Sequence, residues 1–300
     1  MSISNQNKAY FFAATAIFFW STVATAFKLS LEYLEPVQLV FYATIFSVLA
    51  FFFILLFQGK LKLIRRFTME SLLRCALLAI LNPCLYYIIL LKAYDILPAQ
   101  EAMAINYSWV VMMVILSIPI LKQRISMKAF LSIIISYIGV IVIATNGDLL
   151  SLQFDNPKGV IYALITTVIW ALFWLFNTKH KNDTVVSLFL IFLFSLPFIA
   201  FAVLFSSTFV IPSMNGFIGA AYVGLFEMGV TFVVWQLALR MTSSVAKVTS
   251  LVFITPFMSL LIIQLFLREV ILTSTVVGIV LIIFGLLLQK FFTKRNTKLS

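Results

Sequence analysis

Gly224-Leu-Phe-Glu-Met-Gly-Val-Thr-Phe-Val-Val-Trp-Gln-Leu-Ala-Leu-Arg240 is an apolar run with one carboxylate, Glu227, inside it. A stretch of this kind is a membrane-helix candidate, because about 20 apolar residues cross the hydrocarbon core of a bilayer. A charge at that depth costs about 2.5–3.5 kcal/mol on insertion scales, so it faces protein or a water-filled cavity rather than lipid. Two questions follow: whether the whole chain is built for a bilayer, and what Glu227 faces.

The composition answers the first. Of 300 residues, 63% are hydrophobic and only 10% are charged, with a mean hydropathy of +1.12. Soluble domains carry about a quarter of their residues as charges. The net charge of +11 does not point to nucleic acid, because the basic residues sit in short clusters between apolar runs. Runs long enough to span fall at 9–31, 36–58, 70–93, 98–120, 127–145, 158–179, 185–207, 214–240, 243–266 and 272–292. The first imitates a secretory signal, with Ala24-Thr25-Ala26 as a cleavage-like triplet, but it continues to about Leu31 and reads as a retained helix. The expected fold class is an all-α integral membrane protein of ten transmembrane helices.

Alternate connections hold Lys8; Lys60, Lys62, Arg65 and Arg66; Lys122, Arg124 and Lys128; Lys179 and Lys181; Arg240; and Lys290, Lys294, Arg295 and Lys298. The other set holds only Lys28, Lys92, Lys158 and Arg268, beside acidic residues. Cytoplasmic loops collect Lys and Arg, which places both termini in the cytoplasm. Trp20 and Trp170 lie 150 residues apart, and the stretch after Ala93-Tyr94 resembles the one after Ala238-Leu239 at an offset of 145. Five helices per half give the second half the opposite membrane polarity. The expected organisation is two inverted repeats, 1–147 and 148–300, with a small-molecule site near the midplane.

The same offset carries Glu227 onto Asn82, which with Pro83 sits midway along the third run. Proline removes a backbone donor and breaks the helix, freeing carbonyls that can line a cavity. Thr231 and Trp235 follow Glu227 at helical spacing, and Tyr86 follows Asn82 in the same way. A carboxylate near aromatic rings suits an ammonium-bearing ligand, and a buried carboxyl equally suits a proton carrier. The residues leave both roles open. The fourth run adds Gln100, Glu101, Asn106, Tyr107 and Trp109, and Trp20 and Trp170 are candidate cavity walls. Gln100, Glu101 and Lys247 are placed at cavity mouths or gates.

Neither catalytic residues nor cofactors are expected. There is no G-x-x-x-x-G-K-[S/T] loop to bind ATP, and the single His180 cannot build a metalloenzyme motif. Cys75 and Cys84 fall in one apolar run and read as packing residues.

Phe19-Trp20-Ser21-Thr22, Pro36, Tyr94-Asp-Ile-Leu-Pro-Ala-Gln-Glu-Ala-Met-Ala-Ile-Asn-Tyr107, Trp235-x-x-Ala238-Leu239, Thr255-Pro256, Arg268-Glu269 and Gly278 resemble the drug/metabolite transporter superfamily. The likeness is to its EamA-type exporters, with the YddG-like amino-acid exporters nearest in appearance. The resemblance implies a multi-pass protein of the cytoplasmic (inner) membrane, monomeric or homodimeric, that exports small metabolites by alternating access. Amino acids are the leading substrates, with protons as possible coupling ions. Nucleotide-derived or cationic solutes are the alternative within transport, and a non-transporting scaffold subunit is the alternative outside it. Two positions depart from the pattern: Pro36 is followed by Val-Gln-Leu-Val-Phe-Tyr-Ala without a basic residue, and Lys122-Gln-Arg124 stands where an acidic residue is expected.

Overall fold

The computed structural model describes residues 3–121, 127–148, 155–177, 182–242, 248 and 251–296, and among these there is no strand. Without water in a bilayer core, the backbone must bond to itself, and a helix does so within one segment. The chain forms α1 (Ile3–Leu31), α2 (Pro36–Phe57), α3 (Met69–Ala79), α4 (Tyr86–Ile96), α5 (Ala99–Tyr107), α6 (Trp109–Leu121) and α7 (Met127–Ala144). Then come α8 (Pro157–Asn177), α9 (Thr184–Ser206), α10 (Met214–Tyr222), α11 (Val230–Met241), α12 (Thr255–Leu267) and α13 (Thr273–Asn296). Among the described residues, seven stretches are long and apolar enough to span a membrane, and three shorter apolar helices accompany them: Phe130–Ala144, Leu251–Leu267 and Thr273–Leu288.

Polar residues start several helices. Pro36 occupies the first turn of α2, where its missing N–H goes unnoticed. Asp183 caps α9 by accepting from the N–H groups of Val185 at 3.0 Å and Val186 at 3.3 Å. Ser213 caps α10 through the Gly216 N–H.

Helix packing divides the chain into two compact units. The first comprises Met1–Leu91 and His180–Arg268, the second Lys92–Lys179 and Glu269–Ser300. Each draws on both halves of the sequence, so packing units and sequence halves are separate descriptions of the chain.

In the first unit α1 packs on α11 and α12, and α2 packs on α9 and α10. Two spans, Met69–Ile96 and Met214–Met241, are each interrupted by a π-helical turn, at Ile80–Leu85 and Val223–Glu227. The break at Pro83 matches the expectation. That in 214–240 does not, since the run contains no proline; glycines replace it. A side chain on Gly224 would meet the Ala43 carbonyl and Phe46 of α2. The carbonyl of Met228, just past the turn, is taken up by the Ser47 hydroxyl at 2.8 Å.

In the second unit α7 and α13 lie close together because small residues face each other. Gly139 is against Gly278, Gly285 is against Ser136, and the Ser136 hydroxyl donates to the Ile282 carbonyl at 3.1 Å.

Candidate functional site

Glu227 closes the π turn Val223–Glu227 and is 9% exposed. Its carboxylate accepts a hydrogen bond from the phenol of Tyr87 at 3.0 Å. Tyr87 is fully buried, with the rings of Tyr86 at 4.8 Å and Phe27 at 6.4 Å around it. The pair joins the two interrupted helices: Tyr87 stands just after one π turn and Glu227 ends the other. A π turn carries an extra residue past the helical repeat, and such turns are common at functional sites.

Asn82, in the other π turn, has extended backbone angles (φ −146°, ψ 125°), and the Asn82–Pro83 peptide is cis. Its side chain is fully buried, and neither amide atom has a hydrogen-bond partner among the described residues. Most buried amides are bonded, and an unbonded one costs about 1–3 kcal/mol. Thr231 spends its hydroxyl on the Phe226 carbonyl, a group released by the break. Trp235 and Trp20 meet with ring centroids 5.4 Å apart, and Phe232 lies 6.4 Å from Trp20. Of the candidates in this unit, Tyr86 touches the Tyr87 ring and Trp20 pairs with Trp235. Lys247 lies outside the described residues.

The second unit holds the remaining candidates. The Asn106 amide donates to the Thr166 hydroxyl at 2.9 Å, and Trp109 and Trp170 meet edge to face at 6.2 Å. Tyr107 and Glu101 are buried. Gln100 is bonded through both ends of its amide: its nitrogen donates to the Val270 carbonyl at 2.8 Å, and its oxygen accepts from Leu272 N–H at 2.9 Å and Thr275 at 3.1 Å. Beside it, Glu269 accepts from the N–H groups of Ala99 and Gln100, at 2.8 and 3.2 Å. These are free donors of the first turn of α5, so Glu269 caps a helix distant in sequence and favours its positive end.

Tyr87 and Ser47 are the contributors that the sequence reading missed. Face-counting from Asn82 selects Tyr86 at i+4, but the extra residue of the π turn advances the face by one and brings Tyr87 to the carboxylate. Pro83 was the available signal. No group of three His, Cys, Asp or Glu suited to a metal occurs among the described residues, and Cys75 and Cys84 are buried free thiols.

The arrangement is a buried carboxylate steadied by a phenol between two interrupted apolar helices. The family model of EamA-like transporters matches residues 7–145 and again 157–289. The chain belongs to the EamA-like transporter family. Membership makes it a multi-pass membrane protein, in accord with the seven apolar spans among the described residues. It is similar to an uncharacterized transporter of Clostridium kluyveri, 27% identical over 187 residues that cover 60% of each chain. It is also similar to an uncharacterized transporter in the sor 3' region of Acidianus ambivalens, 27% identical over 169 residues, or 56% of this chain and 65% of that one. The match thus spans somewhat under two thirds of these relatives. A crystal structure with 18% identity aligns over 96% of this chain and 98% of its own, with a TM-score of 0.67, which shows a shared fold.

Proposed function

We propose that this EamA-like protein is a secondary transporter that exports small amine-bearing metabolites, amino acids first among them, across the cytoplasmic membrane. One observation carries the reading: a carboxylate at mid-span, buried and held by Tyr87. A charge so placed has little purpose as helix glue, since interhelical polar contacts in membranes average only about 0.6 kcal/mol. It suits an ammonium group or a proton in transit. Glu227 receives the amine or proton, Tyr87 orients the carboxylate, and Asn82 offers its unbonded amide to a polar group of the solute. The pairing of Trp20 with Trp235 supplies ring faces for a cation. Asn106, Tyr107, Trp109 and Trp170 remain candidates of the second unit.

The mechanism in this proposal is alternating access by rocking of two inverted sequence halves, 1–147 and 148–300, with ten helices and both termini cytoplasmic. The double match of the family model, once in each half, supports the repeat, and the Lys/Arg pattern supports the orientation.

Flux of labelled amino acids from loaded vesicles tests the reading. Glu227→Gln keeps shape and removes the charge, and flux is expected to fall at least tenfold and to lose its pH dependence. Unchanged flux with an unchanged pH profile removes Glu227 from the mechanism. A thermal-shift screen with amino acids and quaternary amines separates the substrate classes. Stabilisation by quaternary amines alone assigns the site to cations.

A further inference from the structure

Apart from Glu227 and Tyr87, the first unit carries a groove with no part in the transport proposal. It holds about 400 Å³ and is lined from α1, α10 and α12. Small residues, Ala26, Ser30 and Gly219, line it beside the larger Leu29, Ile218 and Phe266. These three are exposed, Ile218 at 58% and Phe266 at 67%. Among the described residues, no charged one lines the groove. The inner end is closed by Thr22 and Tyr222, whose hydroxyls are 2.7 Å apart, and the outer end carries Tyr33 and Asn215. A different face of α1 bears Phe27, which meets Tyr87.

The dimensions choose the occupant. From Thr22 to the end of α1, at 1.5 Å per residue, the groove runs about 14 Å, close to half of the roughly 30 Å hydrocarbon core. A volume of about 400 Å³ over that length is room for one polymethylene chain. An apolar hollow does not hold water, and an empty one loses the dispersion contacts of its walls. The surrounding bilayer supplies chains of one leaflet's length. Tyr33 and Asn215, at the end of α1, suit the wet, polar ester level where tyrosines collect.

We propose that this groove seats one acyl chain of a bilayer lipid, its methyl end against Thr22 and Tyr222 and its ester beside Tyr33 and Asn215. The leaflet is the one at the α1 C-terminus, the non-cytoplasmic leaflet on the Lys/Arg pattern. The proposal requires a membrane protein and does not depend on what Glu227 binds.

A phosphatidylcholine with a photoreactive group in its acyl chain, reconstituted with the intact protein, tests it. Labelling of 22–33 and 215–222 is expected to exceed by at least fivefold that of the exposed α9 ridge, Phe201, Leu204 and Phe205. Equal labelling of groove and ridge overturns the proposal. Ala26→Trp fills the hollow and should bring groove labelling down to the ridge level while the ridge is unchanged; undiminished groove labelling in that variant also overturns it. Should Ala26→Trp fail to fold, Ala26→Ile is the milder filling, and the wild-type ratio stands by itself. A groove that excludes label while the protein migrates as a dimer assigns the face to a second copy and overturns the lipid.

Discussion

The spans Met69–Ile96 and Met214–Met241 are both 28 residues long and both pass through a π turn near mid-length, yet different residues interrupt them. In the first, Pro83 lacks the N–H that the helix needs, so the break is written into the local chain. In the second, Gly224 and Gly229 permit the break without enforcing it. Gly224 lets the turn lie against the Ala43 carbonyl, Gly229 leaves space beside the Gly224 carbonyl, and Ser47 takes up the Met228 carbonyl. One interruption is a property of the sequence, the other of the helix packed behind it. The polar residues differ in parallel: Asn82 has no partner, whereas Glu227 has Tyr87.

The glycine break should therefore be the more fragile. Gly224→Leu drives a side chain into the α2 backbone and is expected to destabilise the fold by about 3 kcal/mol, the upper end for overpacking. Thermal unfolding in detergent reads this as a large drop in Tm. An unchanged Tm would mean that α2 does not hold the turn. Pro83→Ala, which only restores a donor, should cost less than Gly224→Leu; the reverse order would invert the comparison.

Next in size is the Tyr87–Glu227 bond. Tyr87→Phe leaves a buried acceptor unpaired and is expected to cost about 1.5–3 kcal/mol, the range for a hydrogen bond to a charged group. The same substitution in a Glu227→Gln background should cost only about 1 kcal/mol. Equal costs in the two backgrounds would show that the carboxyl is already neutral in the resting protein.

Asn82 should behave oppositely. Its amide makes no hydrogen bond, so Asn82→Leu is expected to leave stability within about 0.5 kcal/mol or raise it, since a buried polar group without a partner contributes nothing to the fold. Flux in vesicles should nevertheless fall at least tenfold if the amide serves the solute. A loss of 2 kcal/mol or more in unfolding experiments would show that Asn82 is structural.

The same contrast explains what could be read from sequence. Glu227 was legible as a residue set apart because a carboxylate stands out in an apolar run, and the Pro83 break because proline states its effect locally. The break at Val223–Glu227 was not legible, since glycine acts only through a neighbour distant in sequence, here Ala43. Tyr87 was lost by the same mechanism: regular spacing selects Tyr86 until the π turn shifts the face. Glu269 shows the converse. The Arg268-Glu269 pair is plain in the sequence, but the job of Glu269 as the cap of α5 depends on a contact 170 residues away.

The smallest expected effect concerns the helices behind the two breaks. α2 backs the Val223–Glu227 turn and α9 backs the Ile80–Leu85 turn. Lys60, just beyond α2, meets the α9 cap Asp183 at 2.8 Å, with both side chains partly exposed. Burial by itself would raise the Asp183 carboxyl, but hydrogen bonds from Lys60 and from the Val186 and Val185 N–H groups, with the Lys60 charge, hold it below the ordinary value. A depressed carboxyl contributes stability that is present above the unfolded value, about 3.9, and is lost as pH falls through the folded one. Because the pair is screened by solvent, Lys60→Met should cost no more than about 1 kcal/mol at pH 6, less in high salt. The gap in Tm between wild type and variant should close as the pH drops below about 3.9, where the carboxylate becomes protonated. A gap that persists at pH 2 would mean that Lys60 acts by packing its stem, and that the two supporting helices are not joined by charge.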